Sequence, residues 1–178
     1  MTIGRDISND FKKRVPTINF AYPYPGKPYY ALIRAEYVPD GATRFGPDHH
    51  VLVDVWGLDG TREFGTNVNF TFPEAEPVVV PINKRGVPYG ADLPLHNHGH
   101  VVGCWVGDDP NVRASDYVQG MGLGRIGSEN MDEHVTYYLI YQKMIADSNG
   151  TPPVDPPQTD HEALQAIKRI VDARLGTV

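Results

Sequence analysis

The sequence predicts a mainly β protein, an antiparallel β-sandwich of jelly-roll or immunoglobulin-like type. The first observation is that apolar and polar residues alternate with a period of two in several segments, which is typical of strands with one buried face. The second is the content of turn-forming residues. The 178 residues include 18 glycines and 16 prolines, above the average usage of roughly 7% and 5%. These residues separate the alternating segments, as expected of strands joined by turns.

The predicted strands follow one another from residue 30 to residue 142. In 50–56, the valines at 51, 53 and 55 take one face and Asp54 and Trp56 the other. Segment 77–82 is rich in β-branched residues and lies between prolines, which favours an edge strand. Glycines at 57 and 60 predict a hairpin turn. The full set of predicted strands is 30–38, 50–56, 61–64, 67–72, 77–82, 100–106 and 134–142.

Both ends of the chain differ from this central domain, 29–146. Segment 1–28 carries four prolines in its second half and predicts an extended N-terminal arm, with a first strand and loop of the domain as the alternative. Segment 147–158 is a Pro-rich linker. Segment 159–178 predicts an amphipathic helix that begins with a capping box and carries an apolar stripe. The stripe needs a partner, either the sandwich or another chain. Its residues are Leu164, Ile167, Val171 and Leu175.

Charge and cysteine content exclude several classes of protein. A net charge of -6 argues against binding nucleic acid through phosphate contacts. The beginning of the sequence lacks the apolar stretch of a signal peptide, and no apolar run approaches the roughly 20 residues of a membrane helix. We therefore expect synthesis in the cytoplasm, with retention there or export as part of an assembly such as a virion. Cys104, the one cysteine, lies in the apolar run 101–106 and is expected to be a buried, unreactive side chain.

Three alternating histidines form the sharpest local motif, His96, His98 and His100. Alternate residues of a strand point to one face, so three imidazoles could converge on a metal ion. The spacing is also similar to the start of the first metal motif of cupins, which are double-sheet jelly rolls. The glutamate of that motif is absent here. Ordinary loop histidines are the alternative interpretation, and no other cofactor is expected.

The second candidate region is the long loop 107–133, together with two tryptophans. Its carboxylates, among them Asp116, could hold a hard cation, or could simply be solvated acidic turns. Trp56 and Trp105 each lie on the face opposite to the aliphatic residues of their strand. An outward tryptophan could stack on a sugar ring or a proline, unless the N-terminal segment covers it. We predict a ligand-binding set of Trp56, Trp105, Asp116 and Tyr117.

The segment 99–142 resembles the closing strand-loop-strand of small β-sandwich modules. The matching elements are Ser115-Asp116 with Val118 and Gly120, then Met121-Gly122-Leu123, then the strand 134–142. Such modules occur in bacterial cell-surface and phage-associated proteins, often beside carbohydrate-active or cell-wall hydrolase domains. The resemblance implies an accessory, non-catalytic sandwich that binds glycan or protein. No catalytic residue carries over from it.

The sequence thus predicts a non-enzymatic structural or surface-binding protein, such as a phage virion component for capsid decoration, neck or tail. It would assemble through its terminal segments, with other copies of itself or other virion proteins as partners, and with neither nucleic acid nor membrane. A carbohydrate-binding module is the first alternative, with glycan as the partner. A cupin-like metal-binding protein is the second.

Overall fold

The computed structural model describes residues 5–15, 17–21, 23, 25–39, 49–73, 75–95, 102–108, 114–124 and 134–146. Within these ranges the chain is mainly β, with two five-stranded sheets and one short helix. The elements are β1 Asp6–Ile7, α1 Asn9–Arg14, β2 Thr17–Asn19, β3 Pro28–Pro39, β4 His50–Trp56, β5 Asn67–Phe72, β6 Ala75–Pro81, β7 Ala91–Pro94, β8 Val102–Val106, β9 Tyr117–Met121 and β10 Val135–Ile145.

The first sheet, sheet A, has the strand order β1-β3-β10-β4-β7. β10 pairs antiparallel with β3 and parallel with β4, and β1 pairs parallel with β3. The prediction of a purely antiparallel arrangement is therefore wrong for this sheet. The physical reason is that β10 inserts between β3 and β4, two strands that follow each other in sequence. Alternation of apolar residues identifies the buried face of a strand and does not identify its neighbours.

The second sheet, sheet B, has the order β2-β9-β8-β5-β6, and all its pairs are antiparallel. β6 lies at one edge, as predicted from its flanking prolines. β9 falls inside 107–133, which the sequence predicts to be a loop. The predicted strand 61–64 is reduced to a single bridge between Trp56 and Arg62.

One apolar cluster contains residues of both sheets, which gives a sandwich-like arrangement. The alternating valines of β4 contribute from sheet A, and Val68 and Phe70 of β5 from sheet B. Cys104 of β8 belongs to the same cluster and is fully buried, as predicted. Removal of this apolar surface from water, at roughly 25 cal/mol per Å², is the main favourable contribution to folding.

The described residues of 1–28 do not form a free arm. β1 extends sheet A at β3, and β2 extends sheet B at β9, so this segment joins the two sheets. Between them, α1 begins at Ser8, whose hydroxyl accepts the Phe11 N–H at 3.2 Å. Phe11 and Val15 are buried in the shared core. The alternative interpretation, a first strand and loop of the domain, describes this packing better because the segment contributes core side chains.

Three predicted regions lie outside the described residues. They are the linker 147–158, the helix 159–178 and the histidine segment 96–100.

Candidate functional site

A corner of the fold is built where the turn 57–65 meets the loop 83–90, and we call these two segments the pinned corner. Arg62 joins them. Its guanidinium donates hydrogen bonds to both carboxylate oxygens of Asp54, from Nε to Oδ1 at 2.6 Å and from Nη2 to Oδ2 at 3.1 Å. It also donates to the carbonyls of Lys84 at 3.0 Å and Val87 at 2.9 Å. One partly buried ion pair therefore fixes two loops to β4.

Two glycines and one aspartate determine the conformation of the turn 57–65. The Gly57 N–H donates to the Thr61 carbonyl at 2.7 Å, and Gly60 has φ 76°, a left-handed conformation that glycine adopts without strain. Asp59 accepts from the Thr61 N–H at 3.0 Å and from its hydroxyl at 2.8 Å. These bonds to the carboxylate lower the pKa of Asp59 below its ordinary value.

The corner presents apolar side chains to solvent. Leu58 is 60% exposed and Phe64 is 43% exposed, and Val87 is also exposed. The Arg85 guanidinium lies over the Phe64 ring, 4.2 Å from its centroid. Exposed apolar residues held on a rigid frame are typical of contact surfaces between macromolecules.

Beneath the corner, the outer face of sheet A carries a second apolar cluster. It consists of Leu52, Tyr89, Tyr138 and Ile140, and Trp56 packs against it. Tyr138 donates to the Pro88 carbonyl at 2.8 Å, which ties the loop to β10. Trp56 is thus half-buried, and its Nε1–H donates to Asp54 at 3.0 Å. Of the predicted ligand-binding residues, it is the one that lies beside the pinned corner.

Trp105 and Tyr117 lie elsewhere, on sheet B. Trp105 is opposite Asn69 in the β5–β8 pair and only 2% exposed, so it offers no open stacking face. The Tyr117 hydroxyl lies 2.8 Å from the Thr71 hydroxyl, across Gly103. A Cβ at Gly103 would come too close to the hydroxyl oxygens of Thr71 and Tyr117 and would lie 2.8 Å from Tyr117 Cε2, so a larger residue would displace these side chains.

Asp116 holds the fold together at the start of β9. It forms an ion pair with Arg5, and these side chains are 1% and 3% exposed. Its carboxylate also accepts the backbone N–H groups of Ala21 and Leu32, each at 2.8 Å. Burial raises the pKa of Asp116, while Arg5 and the two N–H donors act in the opposite direction. Because its oxygens are engaged in this way, Asp116 is a structural residue in this arrangement.

Three other histidines, His49, His50 and His134, lie together at one end of sheet A. The sequence pattern did not predict this grouping. The ring centroids of His49 and His134 are 4.6 Å apart, and those of His49 and His50 are 5.1 Å apart. The signal available in the sequence is that His49 and His134 each directly precede a strand, while His50 is the first residue of β4. It becomes informative only with the parallel pairing of β4 and β10, which brings their first residues together. Among the residues that the structure describes, no group of three potential ligands could hold a metal ion.

Cys104 is placed for packing. Burial strongly raises the pKa of its thiol, so the reactive thiolate is disfavoured. Its carbonyl accepts the Tyr141 hydroxyl at 3.2 Å. Of the carboxylates in 107–133, Asp108 accepts the Asn67 N–H at 3.4 Å, and Asp109 lies outside the described residues.

Comparisons with known proteins give little further information. No family model matches the sequence, and no curated protein matches it either. One solved structure with a detectable likeness is the C-terminal fragment of the pilus adhesin SpaC from Lactobacillus rhamnosus GG. The identity is 11% and the TM-score 0.30, over 55% of this chain and 46% of the fragment, so less than half of that structure is matched. A likeness at this level carries no argument about fold or function. In the described part of the chain, no helix is long and apolar enough to cross a membrane.

Proposed function

We propose that this chain is a non-enzymatic structural or surface-binding protein that acts through protein–protein contacts at the pinned corner. The observation behind the proposal is that the ion pair Asp54–Arg62 fixes two loops. Besides polar side chains, these loops expose the apolar side chains of Leu58, Phe64 and Val87. A buried ion pair is costly to desolvate and adds little net stability over an apolar pair. Its use here is to hold the backbone of the corner in one geometry.

The proposed partners are other copies of the chain, or other proteins of an assembly such as a phage virion. A corner that is ordered before association loses little conformational entropy when it binds, which favours contact formation. Two carboxylates, those of Asp54 and Asp116, support a structural role for the chain. Asp54 and Asp116 each face an arginine and make bonds that organise the fold.

The experiment compares the full-length chain with a double variant, Leu58→Ser/Phe64→Ser, by native mass spectrometry and by sedimentation velocity over a concentration series. Both side chains are largely exposed, so the stability of the variant should change by less than about 1 kcal/mol. We expect a defined oligomer for the natural chain, and at least a tenfold weaker association for the variant.

A matched control is Ile145→Ser. Ile145 is also an exposed apolar residue, at the end of β10 rather than at the corner. It should leave association unchanged. A natural chain that stays monomeric at every concentration would count against self-assembly. Equal losses in the double variant and the control would point to general hydrophobicity instead of the corner.

Deletion of 1–28, which the sequence alone suggests as a test of assembly, is unsuitable. It would remove Phe11 and Val15 from the shared core and unfold the domain. Deletion of 159–178 takes no described residue away and can be used. No observation favours the carbohydrate-binding or cupin-like alternatives, since Trp105 is covered and the three motif histidines lie outside the described residues.

A further inference from the structure

β6 is an edge strand with an unusual combination of residues. It pairs with β5, and no other strand in the described ranges pairs with its second edge. Val78 and Val79 are 41% and 44% exposed. A run of exposed valines at a sheet edge is a template on which another chain can add a strand.

The hydrogen bonds at the end of β6 fix which backbone groups face that edge. The Ile82 N–H donates to Thr66 at 2.8 Å, and the Ile82 carbonyl accepts from Gly65 at 2.9 Å. Ile82 therefore turns both of its groups toward the β5 side. Since successive residues of a strand alternate in direction, Val80 and Val78 turn the same way.

The hydrogen bonds of β5 independently indicate which residues of β6 face the open edge. Asn67 is the partner of Pro81, yet its carbonyl accepts from Gly107 at 3.0 Å and its N–H donates to Asp108 at 3.4 Å. Asn67 thus faces β8. The pair between Asn67 and Pro81 is a non-hydrogen-bonded one, and Pro81 and Val79 face the open edge.

The open edge is consequently poor in donors. Over 78–82, the N–H groups of the three even-numbered residues are used on the β5 side, and Pro81 has none. Pro77, which lies at a register shift of the β5–β6 pair, also has no N–H. Val79 supplies the single N–H that remains. We propose that Pro77 and Pro81, which lack N–H donors, prevent this valine edge from pairing with the β6 strand of a second copy.

A second copy is the relevant partner because the segment reads the same in both directions. Residues 77–81 are Pro-Val-Val-Val-Pro, so an antiparallel copy centred on Val79 would oppose valines to valines. In that arrangement Pro77 faces Pro81 of the second copy, and both flanking pairs lack donors. Association through β6 is then limited to the central pair, which is too little for a stable ladder.

The test restores the donors with Pro77→Thr/Pro81→Thr, since threonine is well suited to strands. Sedimentation velocity over a concentration series measures self-association relative to the natural chain. We expect an association constant about 30-fold higher or more, because each copy regains two N–H donors and the pair of copies gains four backbone hydrogen bonds. Amide hydrogen exchange should show Val79 becoming protected as the concentration rises. An unchanged association constant with a folded variant would overturn the proposal.

Three controls keep the result interpretable. The triple variant Pro77→Thr/Pro81→Thr/Val79→Lys places a charge at the centre of the edge and should return association to the natural level. Pro25→Thr removes an exposed proline from a turn that belongs neither to β6 nor to the pinned corner, and it should have no effect. Far-UV circular dichroism checks the fold, and the single variant Pro81→Thr serves if the double variant unfolds, with an increase in association again expected.

The proposal is independent of the function proposed above. The same substitutions placed in the Leu58→Ser/Phe64→Ser background separate association through β6 from association through the pinned corner. If the proline substitutions raise the association constant in both backgrounds, the edge proposal is supported, whether or not the pinned corner mediates association. If they raise it in neither background, the edge proposal is refuted.

Discussion

Loss of the buried ion pair between Arg5 and Asp116 should strongly destabilise the fold. The pair connects the N-terminal segment to the loop before β9, and the two side chains are 3% and 1% exposed. In Arg5→Met, the Asp116 carboxylate stays buried and keeps only the N–H donors of Ala21 and Leu32. In Asp116→Ala, the buried guanidinium loses this ion pair and keeps its hydrogen bond to the Leu32 carbonyl at 2.8 Å.

The magnitude follows from the burial. Removing one partner of a buried pair costs about 3–5 kcal/mol, because an uncompensated charge remains. Asp116→Ala also leaves two backbone N–H groups without their acceptor, at about 1–3 kcal/mol each. We therefore expect about 3 kcal/mol for Arg5→Met and 5 kcal/mol or more for Asp116→Ala. For a domain of this size, 3 kcal/mol lowers the Tm by roughly 6–12 °C.

The assay is urea unfolding followed by circular dichroism and by tryptophan fluorescence, whose coincidence tests two-state behaviour. The matched control is Lys13→Met, which breaks the exposed pair with Asp10, 3.3 Å long, and should cost less than about 0.5 kcal/mol. If Arg5→Met costs no more than Lys13→Met, the pair does not hold the N-terminal segment in place, and the reasoning fails.

Three further predictions concern other parts of the fold. Gly103→Ala should cost about 1–3 kcal/mol in urea unfolding, because its methyl group displaces the Tyr117 ring, and the additional change Tyr117→Ala should recover part of that loss. Burial raises the pKa of Tyr137 to about 12, so the stability that this raised pKa contributes is complete below pH 10 and disappears between pH 10 and 12. Absorbance at the tyrosinate band should show one tyrosine fewer titrating near pH 12 in Tyr137→Phe; the same loss appearing near pH 10 would contradict the prediction. Arg62→Met should loosen the pinned corner and accelerate amide exchange in 83–90 at least tenfold, because the carbonyls of Lys84 and Val87 lose their guanidinium donor; unchanged exchange there would show that the loop is held by other contacts.

Long alternating segments were predictable because their signal is local. The predicted strands 50–56 and 67–72 coincide with β4 and β5, and the edge position of β6 follows from its prolines. The short elements β7 and β9 were missed. Four or five residues do not establish a period, and these strands form because a neighbouring strand supplies hydrogen bonds.

The candidate site was predictable in part. Trp56 is beside the pinned corner, but its neighbours Arg62 and Arg85 carry no pattern that distinguishes them from solvated surface arginines. Trp105 and Trp56 have the same parity in their strands, yet one is covered and the other half-exposed. Parity states which face a side chain takes, and only the packing of other segments decides whether that face is open.

The sequence by itself determined the mainly β class, the inward faces of the long strands, the burial of Cys104 and the edge position of β6. These depend on the periodicity of side chains along a strand and on the missing N–H of proline, which are properties of a few consecutive residues. The tertiary structure decided the insertion of β10 between β3 and β4, the docking of the N-terminal segment on both sheets, and the partners of Asp54 and Asp116. These depend on contacts between residues far apart in the chain, whose free energies exist only once the sheets have packed.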